Sequence, residues 1–259
     1  MNNESISMEA FLDINGVSNY VSEFFGRLVS FFDKRLAPNS VKKELTKGNV
    51  GLVEKNKKLL STYLVYTPEN IDKNFVEYLT TLKTVLDELK TVEKDDLIPL
   101  EQWAANFISS EVFAKKTWIF LNKKESNIEK HKTELQKHFN ESIGDSIATR
   151  PIFTVYGNSE GINKATSLLI DLVDISNSLL DGSITKRADS ISVLMRKIAT
   201  DDKVKERLLA QPEEKIKPVI ELIKQASLKL ELLSIVLFQV KNAAYSHNES
   251  MEKIKKELE

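Results

Sequence analysis

The chain has no cysteine, which excludes disulfides, thiolate metal sites and cysteine nucleophiles. Only 8 glycines and 6 prolines occur in 259 residues. That scarcity disfavours an all-β fold or a loop-rich α/β enzyme and favours helices. No charge of one sign dominates: 37 basic residues face 38 acidic ones. This balance excludes a disordered polyelectrolyte and argues against a surface built throughout to grip nucleic acid. Long apolar runs are also missing. The densest, Leu232 to Val240, is broken by Ser234 and Gln239 and falls short of the roughly 20 residues a spanning helix needs. The first ten residues lack a basic stretch followed by an apolar one, so a secretory signal and a membrane are not expected. The expected setting is a cytosol-like compartment, or something assembled there.

What is present is 41% hydrophobic residues, enough for one large or two modest cores. They recur at helical spacing. Residues 1–9 are polar and aperiodic and read as a mobile leader. Val17, Tyr20, Val21, Phe24, Phe25, Leu28, Val29, Phe32 and Leu36 form one aromatic face of a helix that Pro38 ends. That face suits a core or a partner helix better than a lipid surface, because Arg27 and Lys34 alone make its polar side basic. Short helices are expected near 40–47 and 51–62. Thr67-Pro68-Glu69 reads as a helix start, with threonine as cap and proline in the first turn. Phe75, Leu79, Leu82, Leu86 and Leu89 then form a seam for a partner helix, which Leu97 to Pro99 interrupts. Helices near 99–109 and 111–121 carry Trp103, Phe107, Val112, Trp118 and Phe120, and a lysine-rich helix follows over about 123–141.

Arg150 to Gly157 is β-branched and aromatic between proline and glycine, and with no second strand in sight it reads as an extended connector. It divides the chain into an N-terminal helical region, 10–149, and a C-terminal bundle, 150–259. In the bundle, one helix is marked by Ala165, Leu168, Leu169, Leu172, Val173, Ser176, Leu179 and Leu180 and closed by Gly182. A second covers 184–200, and Asp201-Asp202 caps a short third. The longest begins near Pro212, with Pro218 in an early turn that could kink. Its seam is Val219, Ile223, Ala226, Leu230, Leu233, Leu237, Val240, Ala244, His247, Met251 and Ile254. The fold class expected is therefore all-α: a multi-helix antiparallel bundle with a long C-terminal helix and an extended connector near 150–157.

Chemistry is sparse. The three histidines are His131, His138 and His247. His131, Glu134 and His138 share a helix face that a metal could use, but Lys130, Lys132 and Lys137 beside it repel a cation, so no metal is expected. No strand-to-helix nucleophile elbow and no glycine-rich phosphate loop occurs, so neither a cofactor nor an enzymatic activity is expected. Lys115, Lys116, Lys123, Lys124, Lys130, Lys132 and Lys137 outnumber Glu125, Glu129 and Glu134, an excess that could face DNA phosphates without reading sequence. The plainer reading is a solvated face with pairs such as Lys130 and Glu134.

Several patterns bear on identity. They are the leader ending in Ser7-Met8-Glu9-Ala10, the aromatic helix behind it, the run Tyr63-Leu64-Val65-Tyr66-Thr67-Pro68, and Tyr78-Leu79 with Leu82. Leu97-Ile98-Pro99-Leu100, Phe153-Thr154-Val155-Tyr156-Gly157 and the helix from Glu231-Leu232 to Tyr245 complete them. Together the chain resembles the internal head (prohead core) proteins of large tailed bacteriophages. The resemblance implies a non-enzymatic virion structural protein in the capsid interior, present in host cytoplasm during assembly. Its partners would be other head proteins, packaged DNA through non-specific contacts, and a prohead protease in transit. In that group the protease cuts after Glu in a small-x-Glu motif, which here implies cleavage between Glu9 and Ala10 with Ser7 and Glu9 recognised. The triplet recurs at Ser109-Ser110-Glu111 and Ser250-Met251-Glu252, as often as composition alone would give. Position must decide, because a protease binds extended chain, which helices resist and frayed termini such as the one near Glu252 supply. The alternatives are a non-viral cytosolic helical adaptor or scaffold and, less supported, an injected hydrolase or transferase.

Overall fold

The structure, a computed structural model, describes residues 63–68, 71, 74–109, 147–180 and 183–258. In chain order the elements are β1 (Leu64–Pro68), α1 (Phe75–Leu89), a π-helical turn (Glu93–Leu97), α2 (Ile98–Ser109), β2 (Ile147–Pro151), α3 (Ile152–Tyr156), α4 (Ser159–Leu180), α5 (Ser183–Thr200), α6 (Asp202–Leu209) and α7 (Glu213–Leu258). The fold is all-α, with a long C-terminal helix and one small antiparallel sheet in which Leu64 pairs with Pro151 and Pro68 with Ile147. Among the described residues no helix is long and apolar enough to cross a membrane.

The described residues pack as two compact units that do not follow chain order. One takes 90–109 and 180–231; the other takes 63–89, 147–179 and 232–258. Each thus joins residues from before and after the 150–157 stretch.

The first unit is built on α2, α5, α6 and the start of α7. Ile184, Ala188, Ile191, Met195 and Ile198 of α5 are buried, as are Leu97, Leu100, Trp103 and Phe107. The Trp103 and Phe107 rings stack 5.2 Å apart, one helical turn from each other. Arg207 of α6 lies over the Phe107 ring and donates to the Ile108 carbonyl at the end of α2. Asp201 caps α6 as its sequence predicts, accepting from the amides of Lys203 and Val204.

The second unit packs α1, α3, α4 and the rest of α7 with the sheet. Phe75, Leu79, Leu82, Leu86 and Leu89 are all buried, so the seam of α1 faces its partners as its spacing predicts. Every seam position of α7 from Leu233 to Ile254 is buried as well, as are those from Val219 to Leu230 in the first unit. So are Ile220, Leu222, Leu232, Val236 and Ala243. The buried band is wider than a two-position seam, because α7 is packed on more than one side.

Four local expectations need correction. Thr67-Pro68 starts no helix: both end β1, and the cap of α1 is Asn74, whose Oδ1 accepts from the Val76 amide at 2.9 Å. A proline is tolerated at a strand end, where its missing N–H breaks no ladder. Leu97 to Pro99 does not interrupt the winding. Pro99 has no N–H to give, and the chain widens into a π turn in which the Ile98 amide reaches back five residues to the Glu93 carbonyl. The connector is extended only to Pro151. Its missing partner strand is β1, and residues 152–156 then coil into α3, which Gly157 ends at φ 75°. Pro218 sits inside an unbroken α7, early enough to remove a single internal hydrogen bond.

Candidate functional site

Two polar constellations stand out, one in each unit. In the first, Asp96 of the π turn is fully buried and its Oδ2 accepts from Lys229 Nζ at 2.6 Å. Lys229 projects from α7 between Ala226 and Leu233 and is itself buried. Placing two opposite charges in an apolar core is costly for each alone, so the pair holds only while both members remain. Nearer the surface, Arg187 of α5 bridges Glu93 Oε1 at 2.8 Å and Glu101 Oε2 at 2.6 Å. Ser183 Oγ donates to the other Glu93 oxygen at 2.8 Å. The guanidinium hydrogen bond holds the Glu93 carboxyl below the usual carboxylate range, and the two carboxylates hold Arg187 above its ordinary value. The π turn is thereby fastened on both sides, by Lys229 inward and Arg187 outward.

In the second unit, His247 of α7 is 1% exposed. Its Nδ1 lies 2.8 Å from Tyr156 Oη and its Nε2 lies 2.9 Å from Thr166 Oγ1. The ring stacks on Phe75, with centroids 6.2 Å apart and planes 16° from parallel. The proton positions follow from counting donors. Thr166 Oγ1 donates to the Ile162 carbonyl at 2.9 Å, so toward the ring it accepts. Nε2 therefore carries the hydrogen, and Nδ1 accepts from the Tyr156 hydroxyl. Only this tautomer leaves no hydroxyl without an acceptor. Burial pushes the imidazole down to about 4 and the Tyr156 phenol above its ordinary range.

The arrangement has the outline of a nucleophile, a base and an orienting group, but the protons are wrong for that chemistry. The nitrogen facing the Thr166 hydroxyl is a donor, so the ring offers that hydroxyl no base. Two turns toward the N-terminus of α7, Tyr78 Oη donates to Gln239 Oε1 at 3.1 Å, again inside the core. Toward the C-terminus, Ser250 Oγ accepts from the Tyr66 amide at 2.8 Å, and Lys253 Nζ sits 5.5 Å from the Tyr66 ring centroid and 5.6 Å from that of Tyr63. Gln239, His247 and Ser250 of this half of α7 thus reach α1, α3, α4 and β1.

Most residues singled out from sequence lie outside the described residues: Ser7, Glu9 and Ala10, the lysines 115, 116, 123, 124, 130, 132 and 137, and His131, Glu134 and His138. Among the described residues no group of three His, Asp or Glu side chains could hold a metal ion. His247, read as a seam position, is one. Sequence reasoning missed Asp96 with Lys229 and the partners of His247. The signal was present for the first pair: Asp96 stands four residues from Val92 and four from Leu100, in the inward register, and Lys229 occupies that register on α7.

Ser250-Met251-Glu252 also reads differently in three dimensions. Expected near a frayed end, it lies in α7, which runs to Leu258, with Ser250 fully buried against β1. Under brief digestion of the folded chain with a Glu-specific protease, no fragment ending at Glu252 is expected while the native state lasts. Mass spectrometry showing that fragment first would contradict this placement.

No family model, curated protein or solved structure matches the chain.

Proposed function

We propose that this chain is a structural protein of a bacteriophage head interior, packed in the procapsid through helix–helix contacts and working without catalysis. The observation that carries the structural part is how its buried polar groups are used. Asp96 is spent on Lys229, His247 on Tyr156 and Thr166, and Tyr78 on Gln239. Groups with catalytic potential are closed on one another between helices, where they fix register instead of meeting a substrate. The phage setting is supported by the resemblance in the leader, the Tyr63–Pro68 run and the Phe153–Gly157 run. The lysines from Lys115 to Lys137 would then meet packaged DNA through its phosphates.

The test is mass spectrometry of purified particles. The chain is expected to co-sediment with heads, in a form that starts at Ala10 after cleavage behind Glu9. A chain absent from heads and bound to soluble proteins would replace this reading with the cytosolic adaptor. A chain in heads that still starts at Met1 or Asn2 would remove the protease from its partners.

A further inference from the structure

Within the second unit, three side chains spaced three residues apart on α7 hold α3, α4 and β1. His247 takes Tyr156 of α3 and Thr166 of α4, Ser250 takes the backbone of β1, and Lys253 covers Tyr66 of that strand and Tyr63 just before it. The Tyr63 carbonyl accepts from the Ile152 amide at 2.8 Å, tying α3 to the strand. The one member of this clasp that can change charge near neutral pH is His247.

We propose that His247 is an acid-operated latch, and that protonating its ring frees α3 and the β1–β2 sheet from α7. The geometry supplies the reason. An incoming proton can bind only Nδ1, since Nε2 already carries one. Nδ1 then stops accepting, so the Tyr156 hydroxyl loses its acceptor and must turn its oxygen toward the ring, leaving its own hydrogen unpaired in the core. The cation gains no counter-charge. From α1 the ring meets Phe75, from α3 Tyr156 and from α4 Thr166. Along α7 its buried neighbours are Ala243, Ala244, Ser246, Ser250 and Met251. Tyr156 is the only ionisable side chain in hydrogen-bond or ring contact with it among the described residues, and as a phenol it cannot supply an anion there. An imidazolium held by two hydroxyls and a phenyl ring is stabilised far less than one in water, so opening wins.

The ring's folded value, about 4, lies below its ordinary 6.5, so the opened state binds more protons between these limits. The latch is fully engaged above pH 6.5, weakens as pH falls, and is lost through pH 4. Glu93 in the first unit has a depressed value too, but its contribution is lost only below the ordinary carboxylate value of 4.5. At pH 5 the loss therefore falls on the second unit and spares the first. The described residues of the first unit include no histidine.

Amide hydrogen exchange read by mass spectrometry on the full chain, corrected for intrinsic rates, tests this. Between pH 7.5 and pH 5, protection of residues 63–68 and 147–156 is expected to fall about thirtyfold, while 98–109 and 183–200 hold. In His247→Gln, whose amide can accept from Tyr156 and donate to Thr166 but cannot titrate in this range, the fall should vanish. The imidazole resonances of the unaltered protein give an answer that needs no variant. A His247 titration near 6.5 would overturn the proposal, as would unchanged protection of 147–156 at pH 5, or equal loss in His247→Gln.

Discussion

Replacing Asp96 with alanine is expected to cost about 3–5 kcal/mol of stability, because it leaves the Lys229 ammonium buried without its carboxylate. The lost hydrogen bond is the smaller part. Lys229 must either keep an uncompensated charge in the core or drag its amine to water, and its place between Ala226 and Leu233 makes both expensive. The magnitude should be read from urea unfolding followed by circular dichroism and tryptophan fluorescence. The informative comparison is the double replacement Asp96→Leu with Lys229→Met. It removes both charges and keeps the branching of the one side chain and the approximate length of the other, and should recover most of the loss or exceed the original stability. If Asp96→Ala alone costs under about 1 kcal/mol, the pair is hydrated in solution and its role in holding the π turn fails.

That pair also marks where the sequence stops being legible. The seams of α1 and α7 were readable because apolar burial repeats with the helical period, and each residue reports its own facing. Asp201 was readable as a cap because capping is decided within three residues. The sheet was not, since Val65 and Arg150 pair across a long stretch of chain and neither run alternates clearly enough to require a partner. The π turn was hidden for a related reason. Pro99 announces a lost hydrogen bond, and only the packing of Leu97 and Leu100 decides whether the helix stops or widens. His247 could be placed in the core by spacing alone. Its tautomer and its exposure to acid depend on Tyr156 and Thr166, which arrive from other helices.

Gly161→Ala is expected to be among the most damaging single changes in the second unit, at about 3 kcal/mol or more. A Cβ built there would lie 1.8 Å from the Tyr156 carbonyl oxygen and 2.9 Å from its carbon. Both are backbone atoms, so no side chain can swing aside. Nor can α4 slide away freely, because only Gly157 and Asn158 join it to α3. Alanine would otherwise favour a helix by about 1 kcal/mol over glycine, so the sign of the effect isolates the close approach. The displacement must fall on α3, and α3 is what aims Tyr156 at His247. The variant should therefore show a changed imidazole environment at neutral pH along with lower stability. Gly157→Ala makes the contrast: its Cβ would have ordinary room, 3.6 Å from Asn74 Nδ2, and its cost comes from φ 75° alone. That cost is about 1–3 kcal/mol. A Gly161→Ala protein as stable as the original, with unshifted histidine resonances, would mean that α3 does not approach α4 in this way and that Tyr156 reaches His247 by another route.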